Sequence, residues 1–425
     1  MHWAVAVAIA LLAAGTAVRL ALAWLNVRHT QAAVATHAGW IRGELGVDEP
    51  AAIASYLAAR TRAGAVATLL TTAALIAVLA TGTLGAAIGW LDAVLPGVPL
   101  AVAGLAVAAV AGSQLLDAPV SYHVTFGIEE RFGFNRQDRR GWLTDQLLSL
   151  AVAVVLTAAI AAALAWVIGA LPMWWPIAIV AAMAALSVGM LVVYPRVIAP
   201  LFNDFSPVED DAVADAVAAT LEAAGVRCEQ VYVMDASRRS AHANAYFVGF
   251  GKTKRVVLFD TLLEQLALPE VQAVLAHELA HWQRGHIWRR LAISIGSTAV
   301  VFGVVWALAT QPWLYTAFGV PTEPAYGAVL ALLYVGPLQL VLTPLQQQRS
   351  RQHEWEADAD AVRLTGGADA LWGALQTLSA ENLANPFPHP WYAAVMMGHP
   401  PIAERLRRLR DGDAQAMSND AATSA

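Results

Sequence analysis

His277-Glu278-Leu279-Ala280-His281 sits between long apolar stretches, and its reading fixes how the rest of the chain must be arranged. On a helix, residues i and i+4 project from one face, so the two histidines can grip a single Zn²⁺ together. Glu278 is then left beside the ion, placed to take a proton from a bound water. A scrambled chain of this composition gives such a run roughly once in a hundred attempts. The alternative is a helix whose two histidines bind nothing.

Around this run the composition is that of a membrane protein. Of 425 residues, 58% are hydrophobic and 14% charged, and the mean hydropathy is +0.53. Soluble domains carry roughly 25% charged residues, so the chain reads as polytopic. A net charge of −6 argues against nucleic acid as a partner. Cys228 stands alone, which excludes an intrachain disulfide and any zinc site built on several thiolates. A metal here must be held by histidine and carboxylate.

A hydrocarbon core of ~30 Å needs about 20 apolar residues per helix. Seven segments qualify, near 3–27, 64–90, 96–116, 146–172, 174–195, 289–311 and 325–345. The fourth and fifth meet at a tight turn around Pro172, as in a helical hairpin. The first lacks the basic start of a signal peptide and is read as a retained span. With the N-terminus outside, all but Arg19 of the 26 Lys and Arg residues fall in inside loops or at their membrane borders. The expected setting is a bacterial inner membrane, with the HExxH run and the C-terminus on the cytoplasmic side.

The expected fold is therefore mainly α: seven transmembrane helices plus a zinc metalloprotease domain of helices and a small β-sheet, split around the sixth and seventh helices. Residues 1–195 form five spans, 196–288 the first part of the protease domain, 289–345 a transmembrane hairpin, and 346–412 the second part. Residues 413–425 form a polar, disordered tail. Within 196–288, Glu209–Ala224 reads as an amphipathic helix and Gln230–Asp235 as a strand. Asn244–Phe250 and Arg255–Asp260 form a hairpin around the Gly251–Lys254 turn, and Pro269–Arg284 is the helix carrying the motif. Two crossings separate 288 from 346. An even number returns the chain to the same side, so both parts can build one site.

A catalytic zinc keeps three protein ligands and one open position. His286, His353, Glu354, Glu356 and His399 are the candidates for the third. On a continuing helix His286 lies about 140° from His281, which makes it a poor chelate partner. Glu354 is the choice. It shares a face with Asp358 and with the small Ala357 and Ala361, which leave room for a close neighbouring helix. Glu356 is turned about 200° away. Asp358 then stands behind the site and accepts the far N–H of a zinc-bound histidine.

At this point the sequence resembles the type I CaaX prenyl endopeptidases, membrane zinc metalloproteases of the gluzincin type. The likeness runs through Phe132-Gly133-Phe134-Asn135-Arg136-Gln137, Ile198-Ala199-Pro200-Leu201-Phe202-Asn203, and Arg239 to Phe247. It continues through Val257 to Leu262, the HELAHW…GH run, Glu354…Asp358, and His399-Pro400-Pro401-Ile402-Ala403-Glu404-Arg405-Leu406. The resemblance implies zinc on His277, His281 and Glu354, with Glu278 as general base. It implies that Asn244, His399 and Arg405 line the site, binding substrate or stabilising the tetrahedral intermediate. It further implies helices around a large water-filled chamber. The implied substrate is a prenylated protein that loses its last three residues. The chain is Ala-rich and lacks the long insertions common in eukaryotic members, which leaves open a broader role on non-prenylated or damaged membrane peptides. A rival of another class is a transporter or channel with a structural metal site. Nothing in the sequence sets an oligomeric state.

Overall fold

The computed structural model describes residues 1–226, 230–248 and 255–412. Cys228, the Gly251–Lys254 turn and the expected disordered tail lie outside the described residues. In hydrocarbon, every backbone N–H and C=O must be satisfied within the segment, so the Ala-, Leu- and Val-rich stretches become helices. Five come first: α1 (Trp3–Thr36), α2 (Pro50–Ala80), α3 (Val98–His123), α4 (Arg139–Ala170) and α5 (Trp175–Val193). Their apolar windows are only 0–22% buried within the chain, so most of that surface is left for lipid. With 34 residues, α1 is about 51 Å long, and one end must project well beyond the bilayer core.

The second span differs from the reading of the sequence. An apolar window runs across 64–90, but the helix stops at Ala80 and a separate helix covers Thr83–Val94. Gly82, at φ 75°, takes the left-handed conformation that breaks the hydrogen-bond ladder. The α4–α5 hairpin around Pro172 is as expected.

The polar part begins with β1 (Phe205–Pro207), α6 (Asp211–Ala223), β2 (Gln230–Met234), β3 (Ala245–Val248) and β4 (Arg255–Phe259). The sheet order is β1-β2-β4-β3, with β2 and β4 parallel and the other pairs antiparallel. β3 is thus an edge strand. α6 buries Val213, Val217 and Leu221, a four-residue repeat that packs one stripe onto the sheet's core with Val256 and Leu258.

α7 (Leu268–Gln283) carries the HExxH run. Its start is closed by the Glu270 carboxylate, which accepts from the Ala267 N–H at 2.9 Å. Val271, Leu275 and Leu279 face the sheet core, while Ala273 and Ala276 pack on the far side. α8 (His286–Ala309) is the sixth span. The seventh is broken: α9 (Pro324–Ala331) and α10 (Gly336–Thr365) meet at a 63° bend. Pro337 has no N–H for the ladder, so continuity fails at this point. Beyond the bend α10 lies along α7, where Ala357 and Ala361 are fully buried. Small side chains on both faces let the two backbones approach closely. Three shorter helices follow α10: α11 (Asp369–Glu381), α12 (Pro390–Met396) and α13 (Ile402–Arg410).

Candidate metal centre

α7 and α10 bring His277, His281 and Glu354 together, each offering a ligand atom within 4.8 Å of the others. The two Nε2 atoms are 3.2 Å apart. His277 Nε2 lies 3.4 Å from Glu354 Oε2, and His281 Nε2 lies 3.4 Å from Glu354 Oε1. A tetrahedral ion with bonds of ~2.0–2.1 Å separates its ligand atoms by about 3.3–3.4 Å. Glu354 is 1% exposed, and its Oε2 is buried without an aligned hydrogen-bond donor among the described residues. A buried carboxylate facing two imidazole nitrogens is the mixed oxygen and nitrogen donor set that a divalent cation takes. The donor set fits.

The back of this cluster is closed by charge. His277 Nδ1 lies 2.9 Å from Asp358 Oδ1. Asp358, fully buried, is held in turn by Arg405 through Nε at 2.9 Å and Nη2 at 2.5 Å. Burial pushes the His277 imidazole down, but hydrogen bonding and charge from Asp358 and Glu354 outweigh it and lift its pKa to about 10. Burial would raise the Asp358 carboxyl, yet the charge of Arg405 and contact with His277 hold it below its usual range. Arg405 is therefore directed at Asp358, one step behind the histidine.

The front is open. Among the described residues the Glu278 carboxylate makes no hydrogen bond or ion pair, although its neighbours on α7 are buried. His399 sits on the loop between α12 and α13, 67% exposed, with Nδ1 2.7 Å from Glu354 Oε2. Asn244 is exposed at the start of edge strand β3, which packs on α7. Its Oδ1 accepts from the Ala245 N–H at 2.9 Å and its carbonyl from the Phe259 N–H. The structure thus gathers His277, His281, Glu354, Asp358, Arg405 and His399 in one chain of contacts, with Asn244 apart on the strand.

Comparison with known proteins follows this geometry. Residues 207–412 match Peptidase family M48, and residues 33–204 match the CAAX prenyl protease N-terminal, five membrane helices. A CAAX prenyl protease 1 homolog of Oryza sativa subsp. japonica is 34% identical over 306 residues, 71% of this chain and 72% of the relative. The chain belongs to peptidase family M48. Other M48 relatives include CAAX prenyl protease 1 homolog of Arabidopsis thaliana, 36% identical over 71% of each chain. CAAX prenyl protease 1 of Saccharomyces cerevisiae is 32% identical over 70% of this chain and 69% of its own. The crystal structure of S. mikatae Ste24p superposes with a TM-score of 0.88 at 25% identity, covering 96% of this chain and 99% of that one. This M48 protein is a multi-pass membrane metallopeptidase of the CAAX prenyl protease type, and its family implies a metal, generally zinc. Membership of M48 removes the ground for the transporter reading.

Two supports of the M48 site were not read from the sequence. Arg351 Nη1 donates to the carbonyls of Ala393 at 3.0 Å and Met397 at 2.7 Å, closing the end of α12 and anchoring the loop that bears His399. A helix C-terminus with orphan carbonyls calls for such a cation, but the partner lies 42 residues away. Likewise Arg284 binds Asp360 through Nε at 2.5 Å and Nη2 at 2.8 Å, clamping α10 to the end of α7.

Proposed function

We propose that this protein hydrolyses peptide bonds with a Zn²⁺ ion held by His277, His281 and Glu354. The observation that carries the reading is the spacing of those three ligand atoms, set on two buried helix faces. What a bound zinc ion supplies is Lewis acidity, drawing the pKa of water toward ~7 and polarising a carbonyl. Glu278, uncommitted at the front, accepts the proton as the water oxygen bonds to the scissile carbonyl carbon. It then returns that proton to the departing nitrogen as the C–N bond breaks. His399 keeps its outer nitrogen toward substrate and donates to the developing oxyanion. Arg405 and Asp358 act from behind, holding His277 in the tautomer that leaves Nε2 bare. Asn244 and the outer edge of β3 take the substrate backbone by strand addition.

The proposed division of the chain follows the sequence reading: five spans in 1–195, protease parts at 196–288 and 346–412, and the hairpin 289–345 between them. The positive-inside distribution supports an outside N-terminus and a cytoplasmic site. The relatives' names favour a prenylated C-terminal peptide as substrate. An edge strand recognises main chain irrespective of sequence, which favours a second reading: cleavage of non-prenylated or misfolded membrane peptides as well.

One experiment tests both. Purified protein is given matched C-terminally labelled peptides with and without a farnesyl group, before and after chelation and zinc restoration. The prenyl-dependent reading expects cleavage of the farnesylated peptide alone, and equal cutting of both assigns the broader role. Cleavage that survives the chelator ends the zinc assignment.

A further inference from the structure

We propose that His286 is a positioning residue for the metal site, fixing the tautomer and tilt of His281 through a relay that ends on Glu356. The inference rests on the zinc reading above. α7 ends at Gln283, and Gly285, at φ 66°, turns the chain through the left-handed region before α8 begins at His286. That turn brings the first residue of α8 back against His281. The two Nδ1 atoms are 2.9 Å apart, with the rings at 68°. His286 is 1% exposed, and its Nε2 lies 3.0 Å from Glu356 Oε2. Glu356 also accepts from Arg284 Nη1 at 3.2 Å. His353 stacks on the His286 ring at 4.1 Å and 10°, fixing its plane.

Hydrogen accounting allows one arrangement. His281 must present a bare Nε2 to a cation, so its hydrogen sits on Nδ1 and is donated to His286. His286 must then offer a bare Nδ1, which puts its own hydrogen on Nε2, where the Glu356 carboxylate accepts it. Every donor points away from the metal. The companion His277 reaches its carboxylate directly, whereas His281 reaches one through a second imidazole. Both His286 nitrogens are thereby committed, so it supports the site without ligating.

The test uses the full-length purified protein with His286→Phe, which keeps a ring without an acceptor, and His286→Asn, which keeps an acceptor where Nδ1 stood. Zn²⁺ affinity is measured by competition with a chromophoric chelator, and the absorption spectrum of the Co²⁺-loaded protein reports ligand geometry. The Phe variant is expected to bind Zn²⁺ roughly 10–100-fold more weakly with an altered cobalt spectrum, and the Asn variant to stay within about threefold of the parent. Parental affinity and spectrum in the Phe variant overturn the relay, as does an Asn variant that falls equally far. Should the Phe protein not fold, Glu356→Ala strips the far end of the relay, and unchanged affinity there overturns it too. If the unsubstituted protein binds no Zn²⁺, the zinc reading itself falls. If it binds and the variants match it, only the relay does.

Discussion

The back and the front of this site are built on opposite rules. Behind the ligands, Asp358 and Arg405 are 0% and 8% exposed, and their charged atoms are matched against one another. In front, Glu278 makes no hydrogen bond among the described residues, Asn244 is exposed, and His399 is 67% exposed on a loop. The back spends its polar groups on geometry, and the front reserves them for a substrate. Substitutions should separate accordingly: the back should lose metal and stability, the front turnover alone.

The sharpest division comes from Glu278→Gln, expected to lower kcat by roughly 100- to 10,000-fold while zinc content by elemental analysis stays at the parental level. Loss of metal in that variant would erase the front–back distinction. Arg405→Ala tests the other side. It leaves the buried Asp358 with His277 alone as partner, an effect of up to about 3–5 kcal/mol in denaturant unfolding, with weakened zinc retention. A variant of full stability and reduced kcat would move Arg405 to the front. His399→Ala should lower kcat by roughly 100- to 1,000-fold with an unchanged melting temperature. A raised KM at constant kcat would make it a binding group instead.

A smaller effect concerns a contact that includes none of the metal ligands. Glu129 receives Tyr56 at 2.9 Å and Arg60 at 2.6 Å from α2 and faces His242 Nε2 at 3.4 Å. Hydrogen bonding to Glu129 raises His242 above its ordinary 6.5, against burial, which lowers it. A raised histidine contributes stability that is full below about 6.5 and fades as pH climbs through the folded value. Glu129→Gln should therefore depress the melting temperature more at pH 6 than at pH 9. An equal shift at both would assign the contact to Tyr56 and Arg60.

Helical periodicity made much of this legible. His277 with His281, and Glu354 with Asp358, are i,i+4 pairs whose shared faces follow from the backbone repeat alone. The apolar windows likewise located the membrane helices. What stayed hidden lies where the repeat is reset. The 140° between His281 and His286 presumes one continuous helix, and Gly285 breaks it, so a residue placed on the wrong side returns to contact. Arg405 was visible as a charge in RLRRLR, but its burial depends on α13 meeting α10, 47 residues earlier. The end of the second span was blurred because Gly82 interrupts an apolar run without changing its hydropathy.

The 63° bend at the seventh span has a mechanical side. Glu354 lies 18 residues beyond Gly336, about 27 Å along the arm that α10 forms. Five degrees of swing at the pivot would carry its carboxylate by about 2 Å, a full bond length to zinc. Arg290 to Ser350 and Arg284 to Asp360 are the guy-lines that hold that arm still. Tilting of α9, itself packed through Ala325, Tyr326, Leu330 and Ala331 into the membrane core, is thereby kept from detuning the reaction centre.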